Sequence, residues 1–290
     1  MPLPLHSLWI LPPRFQAHGR ITFRLLRVTA VLVQGLFIGL LLPVSSKAHG
    51  ASLRCYWARA TLGAFGLQRR IEGHLPGRGA LLVANHVSWI DVLLLTASTD
   101  AVFIAKSEVR QWPFFGWLGA RGGTLFLKRQ CARSAWAMKN RMAEMLRQGR
   151  SIVVFAEGTT TDGSTVLPFR TALLQSAVDA GVPVCPVAIS YRVNGLRSEE
   201  AAFIDGMDLW DSVLAVAGAR RIVASLKVCE ALCRFPSIPR GASRKRLAIE
   251  ARDAIVEATQ SLQRDCKAAD TELPQHFQQT VRIVAQAASS

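Results

Sequence analysis

The chemistry-bearing residues of this chain are concentrated first in Asn85-His86-Val87-Ser88-Trp89-Ile90-Asp91. A histidine and a carboxylate stand five positions apart, directly after the apolar run Ala80-Leu81-Leu82-Val83-Ala84. Histidine titrates ordinarily at about 6.5, so it can act as a base at neutral pH. A nearby carboxylate can hold the imidazole tautomer and stabilise the imidazolium that forms. A strand giving way to a helix here would hold both groups at the edge of a sheet. The same residues support a plainer reading. Ser88-Trp89-Ile90-Asp91 fits a capping box with Ser88 as N-cap, and His86 then merely ends a strand.

Three further segments carry reactive or ligand-binding types. In Gly122-Gly123-Thr124-Leu125-Phe126-Leu127-Lys128-Arg129, two glycines lead in a strand that ends in two cations. A guanidinium fixed there can clamp a phosphate or carboxylate bidentately; the alternative is a solvated strand end. In Val153-Val154-Phe155-Ala156-Glu157-Gly158-Thr159-Thr160-Thr161-Asp162-Gly163, a strand ends in a carboxylate, a glycine and three hydroxyls. Gly158 permits a sharp turn or a close approach to a ligand, although a polar loop has the same composition. Pro168-Phe169-Arg170 then adds a cation. The fourth segment, Val182-Pro183-Val184-Cys185-Pro186-Val187-Ala188, is apolar with two prolines. It reads as an edge or irregular strand that shapes a wall.

The elements that must position these residues follow from the hydrophobic pattern. Apolar runs at 79–86, 101–106, 123–127, 151–155, 182–191 and 222–228 read as buried strands. Residues 132–147, 171–180 and 245–264 read as helices. Strands alternating with helices predict an α/β fold with a mainly parallel sheet flanked by helices. The expected organisation is a basic N-terminal segment over 1–50, an α/β domain over 51–265, and a C-terminal tail or helix over 266–290.

Composition narrows the setting. Of 290 residues half are hydrophobic, and 35 Lys+Arg against 20 Asp+Glu give a formal net charge of +15. So basic a protein is suited to an anionic partner, either nucleic acid or an anionic bilayer surface. Six cysteines occur without a CxxC pair, which fits a reducing compartment. Residues 28–44 contain no charge and are flanked by Arg14, Arg20, Arg24 and Arg27 before and Lys47, Arg54 and Arg59 after. Seventeen residues lie at the lower limit for crossing a bilayer. The run fits a short span, or a segment that dips into one leaflet and returns, with Gly35, Gly39 and Pro43 easing a bend. A cleavable signal peptide and an ordinary core helix are the alternatives.

Taken in order, the four segments resemble the lysophospholipid acyltransferase family, typified by 1-acylglycerol-3-phosphate acyltransferases. The resemblance covers residues 80 to 190. Asn-His-x4-Asp is intact as Asn85, His86 and Asp91, and Gly-x-x-Phe-x-x-Arg as Gly123, Phe126 and Arg129. The apolar Val-Pro-x-x-Pro-Val is intact at 182–187. The third motif, usually Phe-Pro-Glu-Gly-Thr-Arg, is Phe155-Ala156-Glu157-Gly158-Thr159-Thr160 here.

The resemblance implies acyl transfer from an acyl thioester, acyl-CoA or acyl-ACP, to the free hydroxyl of a lysolipid. It makes His86 and Asp91 the catalytic residues. It draws Gly123, Arg129, Glu157, Gly158, Thr159 and Arg170 into the acceptor site, and it implies no metal or redox cofactor. Oxyanion donors are expected among backbone N–H groups near Gly158 or at the helix after Ser88.

Thr160 stands where the family has arginine. One lost charge-assisted hydrogen bond to a phosphate removes about 1.5–3 kcal/mol, unless Arg170 or Lys128 restores the charge. The default acceptor is 1-acylglycerol-3-phosphate, giving phosphatidic acid; the Glu-Gly-Thr-Thr variant is similar to members acting on other lysolipids, including lyso-ornithine lipid. The expected location is the cell inner membrane with the catalytic domain on the cytoplasmic side. The competing classes are a nucleic-acid-binding protein, which the apolar 28–44 run and the ordered motifs argue against, and a catalytically silent lipid-binding protein of the same fold.

Overall fold

The computed structural model describes residues 13–128, 131–193, 196–204, 206–232 and 244–271. Two helices lead the chain, α1 (Pro13–Leu41) and α2 (Lys47–Ala64). They are followed by β1 (Leu67–Glu72), β2 (Leu81–Ala84), α3 (Ile90–Thr96) and β3 (Val102–Lys106). A 3-10 turn, Ser107–Gln111, precedes α4 (Phe115–Arg121), β4 (Leu125–Leu127), α5 (Ala132–Arg147) and β5 (Ile152–Phe155). Then come α6 (Gln175–Ala180), β6 (Val184–Val193), β7 (Leu196–Arg197), α7 (Leu209–Gly218), β8 (Ile222–Val228) and α8 (Arg244–Thr271).

The sheet order is β1-β8-β6-β2-β5-β3-β4, with β7 pairing β6 from off this path. Strands β6, β2, β5, β3 and β4 run parallel to one another. β8 pairs antiparallel to β6 and carries β1 parallel beside it. The fold is thus the mainly parallel α/β sheet that the alternating pattern predicts.

The central strands read as continuous apolar runs because both of their faces are covered. Residues Ala80 to Ala84 are completely buried. Alternation divides them: Leu82 and Ala84 face one core layer with helices α1, α2, α3 and α7, while Leu81 and Val83 face the other with α5, α6 and α8. Truncating Leu82 to alanine in such a layer costs about 2–5 kcal/mol. Helix α5 turns Met142, Met145 and Leu146 into the second layer and stops at Gly149, whose φ of 77° ends the helix.

Strand β6 corrects one expectation. Despite Pro183 and Pro186 it is central, paired on one side with β2 and on the other with β8. In an extended chain a residue's N–H and C=O point to the same side. The Pro186 carbonyl accepts from Cys229 N, beyond the end of β8, so its missing N–H also falls on that flank and leaves the β2 ladder intact.

The N-terminal segment differs from expectation as well. Helix α1 continues unbroken through Gly35 and Gly39, and Pro43 stands in the turn toward α2. The glycines serve close packing. A Cβ on Gly35 would lie 2.7 Å from Trp57 Nε1, and one on Gly39 2.3 Å from Trp117 Cζ3. Arg24 is buried and donates to the carbonyls of Ala217 and Ala219 at the C-terminal end of α7 (3.0 and 2.5 Å), and Arg20 Nε reaches Gly218 O. These cations satisfy carbonyls that a helix end leaves open. The expected boundary at residue 50 falls inside α2, which packs on α1 and α3. Of the expected tail over 266–290, α8 continues to Thr271, and 272–290 lie outside the described residues.

Candidate active site

Parallel strands bring their C-terminal ends to one edge, where α/β proteins bind ligands. The ends of β2, β5, β3 and β4 deliver His86, Glu157, Lys106 and Lys128 respectively. β4 lies three strands from β2, about 14 Å at ~4.8 Å per strand. Groups at the two ends therefore meet different parts of one extended substrate.

His86 and Asp91 do come together. Imidazole Nδ1 lies 2.7 Å from Asp91 Oδ2. Asp91 sits on the first turn of α3 and is completely buried, whereas the His86 side chain is 20% exposed. A proton on Nδ1 donated to the carboxylate leaves Nε2 as the acceptor, on the accessible partner. The ring also stacks on Phe155 at 4.0 Å between centroids and 12° between planes. The loop that carries it is pinned from behind: His86 N donates to Glu157 Oε1 at 2.7 Å, and Thr161 N donates to His86 O at 2.9 Å.

The contacts expected of a capping carboxylate and of a carboxylate that orients an imidazole are made by the same group. Asp91 Oδ2 also accepts Val87 N and Ser88 N, at 2.8 and 2.9 Å. The Ser88 hydroxyl adds the side-chain bond of a capping serine. The helix begins one residue later, with Trp89 in the cap position, and Ser88 is fully buried with its hydroxyl accepting Ile90 N at 3.3 Å. The N–H groups of Val87 and Ser88 are committed to Asp91, and that of Gly158 to Phe155 O.

Glu157 stands apart from the solvent-facing groups. Buried, it accepts His86 N on one oxygen and Leu167 N on the other, at 2.7 and 2.8 Å. Burial pushes its carboxyl upward against the pull of those two donors. It shapes the site by bracing the histidine loop. Gly158 has φ 78°, and a Cβ there would lie 2.6 Å from Arg170 Nε. The exposed Arg170 guanidinium therefore lies across the turn, held by Arg170 N donating to Ala156 O at 2.8 Å. Thr159 and Thr160 are partly buried in this turn. Gly123, with φ 89°, makes the turn into β4. Arg129 lies outside the described residues.

An acyltransferase family model matches residues 68–190, a stretch that includes the His86–Asp91 pair and all of these turns. A lyso-ornithine lipid O-acyltransferase of Pseudomonas aeruginosa is 35% identical over 246 residues, covering 82% of this chain and 93% of its own length. The chain belongs to the acyltransferase family. A 1-acyl-sn-glycerol-3-phosphate acyltransferase of Neisseria gonorrhoeae is 38% identical over 128 residues, 44% of this chain and 50% of the relative. The crystal structure of the 1-acyl-sn-glycerophosphate acyltransferase PlsC from Thermotoga maritima shares the fold. Its TM-score is 0.66 at 21% identity, covering 86% of this chain and 97% of that one. The enzyme is an acyltransferase, and its reaction is acyl transfer to a lysolipid.

Among the described residues the acyltransferase carries one helix long and apolar enough to cross a membrane, His18–Leu41. Phe23, Leu26, Leu36, Phe37, Leu40 and Leu41 are exposed along it. Such a continuous apolar face marks membrane association.

Sequence reasoning missed Tyr191. It lies on β6, a hundred positions from Asp91, and its hydroxyl donates to Asp91 Oδ1 at 2.5 Å. The available signal was a tyrosine within an otherwise apolar strand, since a buried phenol seeks a partner. Asn85 was read only as part of a motif. Its amide forms a two-way clip with Ile189, donating to Ile189 O at 3.0 Å and accepting Ile189 N at 2.7 Å.

Proposed function

We propose that the acyltransferase moves a fatty acyl group from an acyl thioester, acyl-CoA or acyl-ACP, to the free hydroxyl of lyso-ornithine lipid, with His86 as base and Asp91 as its orienting acid. The 2.7 Å contact between imidazole Nδ1 and the buried Asp91 carboxylate carries this reading. Nε2 accepts the hydroxyl proton as the lipid oxygen attacks the thioester carbonyl. Asp91 stabilises the imidazolium while the carbon–oxygen bond forms. The carbon–sulfur bond then breaks, and the proton on Nε2 goes to the leaving thiolate. The acceptor hydroxyl takes the place an enzyme serine would hold, so no acyl-enzyme forms. A thiolate leaves without help from a Lewis acid, so the reaction needs no metal or redox cofactor.

Two observations support the ornithine acceptor. The Pseudomonas aeruginosa relative matches nearly over its whole length. Thr160 stands in the third motif where a phosphate-binding arginine would add a second cation. An ornithine headgroup presents a monoanionic carboxylate and an ammonium, which calls for less positive charge than a phosphate monoester. Arg170, lying across Gly158, is placed to meet that carboxylate. Gly123, Arg129, Glu157, Gly158 and Thr159 complete the acceptor side. The second reading, 1-acylglycerol-3-phosphate as acceptor, is supported by the Neisseria gonorrhoeae relative.

The N-terminal helices support a shallow membrane mode at the cytoplasmic face of the inner membrane. α1 is ~44 Å long at 1.5 Å per residue. It is fastened to the catalytic core at Arg20, Arg24, Gly35 and Gly39. A helix held lengthwise against the core cannot cross a bilayer without drawing α2 and its cations in with it. Dipping its exposed face into one leaflet avoids that cost and places the basic flanks among anionic headgroups.

Lipid extraction from cells with and without the gene tests the acceptor. Accumulated lyso-ornithine lipid in the deletion strain is the expected result; accumulated 1-acylglycerol-3-phosphate in its place would establish the second reading.

A further inference from the structure

We propose that Tyr191 is a positioning residue for the acyl transfer, setting the orientation and proton affinity of the His86–Asp91 pair through Asp91 Oδ1. The inference rests on the reading of that pair as base and orienting acid. The two carboxylate oxygens are held unequally. Oδ2 receives His86 Nδ1, Val87 N and Ser88 N, whereas the Tyr191 hydroxyl donates to Oδ1 at 2.5 Å. The torsion of an aspartate carboxyl about its last bond is broad. A donor on Oδ1 narrows it and keeps Oδ2 aimed at the imidazole. Water cannot stand in, because Asp91 is fully buried and Tyr191 nearly so.

The strand that carries Tyr191 is registered for this contact. Beyond Ala84, where the β2 ladder ends, the Asn85 amide takes both backbone groups of Ile189 in its place. Tyr191 follows two residues later on the same face of β6, and its own carbonyl accepts Ser198 N at 3.0 Å. A slip of one residue would turn the phenol to the opposite core layer. Asn85 therefore connects the histidine loop to the strand that steadies its acid. Burial and the adjacent anionic Asp91 hold the Tyr191 phenol well above its ordinary range, so it stays a donor at every working pH.

The direction of the pH effect follows. Glu157, from the end of β5, and Tyr191 are titratable groups that face the pair. Removing the phenol hydroxyl leaves Oδ1 without its donor. The carboxylate then binds a proton more readily, and it also attracts the imidazolium more strongly. Both changes raise the proton affinity of the pair, so the acid limb of kcat/KM moves to higher pH.

The test is Tyr191→Phe in the full-length, detergent-solubilised enzyme. It should lower kcat roughly tenfold with little change in KM, and raise the acid limb by roughly one pH unit. On an Asp91→Asn background the same change should add nothing, because the phenol acts through the carboxylate. An unmoved acid limb, or a full further loss on the Asp91→Asn background, overturns the proposal. So does a variant that only melts earlier while its folded fraction keeps normal kcat. An Asp91→Asn enzyme with normal turnover would instead sink the underlying reading of the pair, a separate and distinguishable failure.

Discussion

The His86 end of the sheet edge and the Gly158–Arg170 turn are built differently. At the first, both carboxylates are closed into partnerships: Asp91 with His86, Val87, Ser88 and Tyr191, and Glu157 with the backbone at His86 and Leu167. At the second, an exposed guanidinium lies over a glycine turn and Thr160 replaces a cation. Closed partnerships preorganise a base whose geometry must not vary. In the proposed function this open turn leaves headgroup recognition to the number and placement of charges, which single substitutions change. The proposed base and the proposed acceptor turn are thus separable parts of the same edge.

The largest break in this contrast is His86→Ala. It should lower kcat by roughly 10²–10⁴-fold, measured with a long-chain acyl thioester and a lysolipid. Asp91→Asn should cost nearly as much while the protein keeps its melting temperature, since an amide can still accept backbone N–H groups. Retention of near-normal turnover by His86→Ala would overturn the mechanism. On the open side, Thr160→Arg should raise kcat/KM for 1-acylglycerol-3-phosphate over lyso-ornithine lipid roughly tenfold and spare the thioester KM. An unchanged ratio would remove Thr160 from acceptor choice.

A smaller effect is expected at the membrane side. Gly39→Leu forces a side chain into the Trp117 ring and should destabilise the docking of α1 by about 1–3 kcal/mol. Thermal melting in detergent measures it. An unchanged melting temperature would show that α1 is not held against the core.

The smallest concerns the loop after the threonines. The Ser164 hydroxyl and N–H, with Arg197, hold the Asp162 carboxyl at about 2 against an ordinary 3.8. A folded value below the unfolded one stabilises the loop above pH 3.8 and loses that contribution as pH falls toward 2. Asp162→Asn should therefore narrow the stability difference between pH 7 and pH 3 slightly. An unaltered pH dependence would show that these contacts contribute nothing.

Most of the sheet was legible because buried parallel strands are continuous apolar runs: 79–86, 151–155 and 222–228 each contain a strand of the structure. β1 was not, since Leu67–Glu72 is an exposed edge strand with two arginines and no alternation to detect. The two prolines pointed to an edge or irregular strand; the strand is central because Pro183 precedes its first residue and Pro186 turns its missing N–H toward β8 and away from β2. Glycines 35 and 39 suggested a bend where the structure uses their lack of a side chain to seat tryptophan rings.

His86 and Asp91 were found at the sequence level because their contact is local, five residues across one strand-to-helix turn. The chain's own order thus determined the His86–Asp91 pair, the family motifs and the apolar basic N-terminus. The tertiary structure decided what no spacing could carry. Glu157 braces the histidine from 71 residues away, and Tyr191 steadies the acid from 100. Those contacts exist only because adjacent parallel strands bring their ends together, which is a property of strand order and register rather than of any local run of residues.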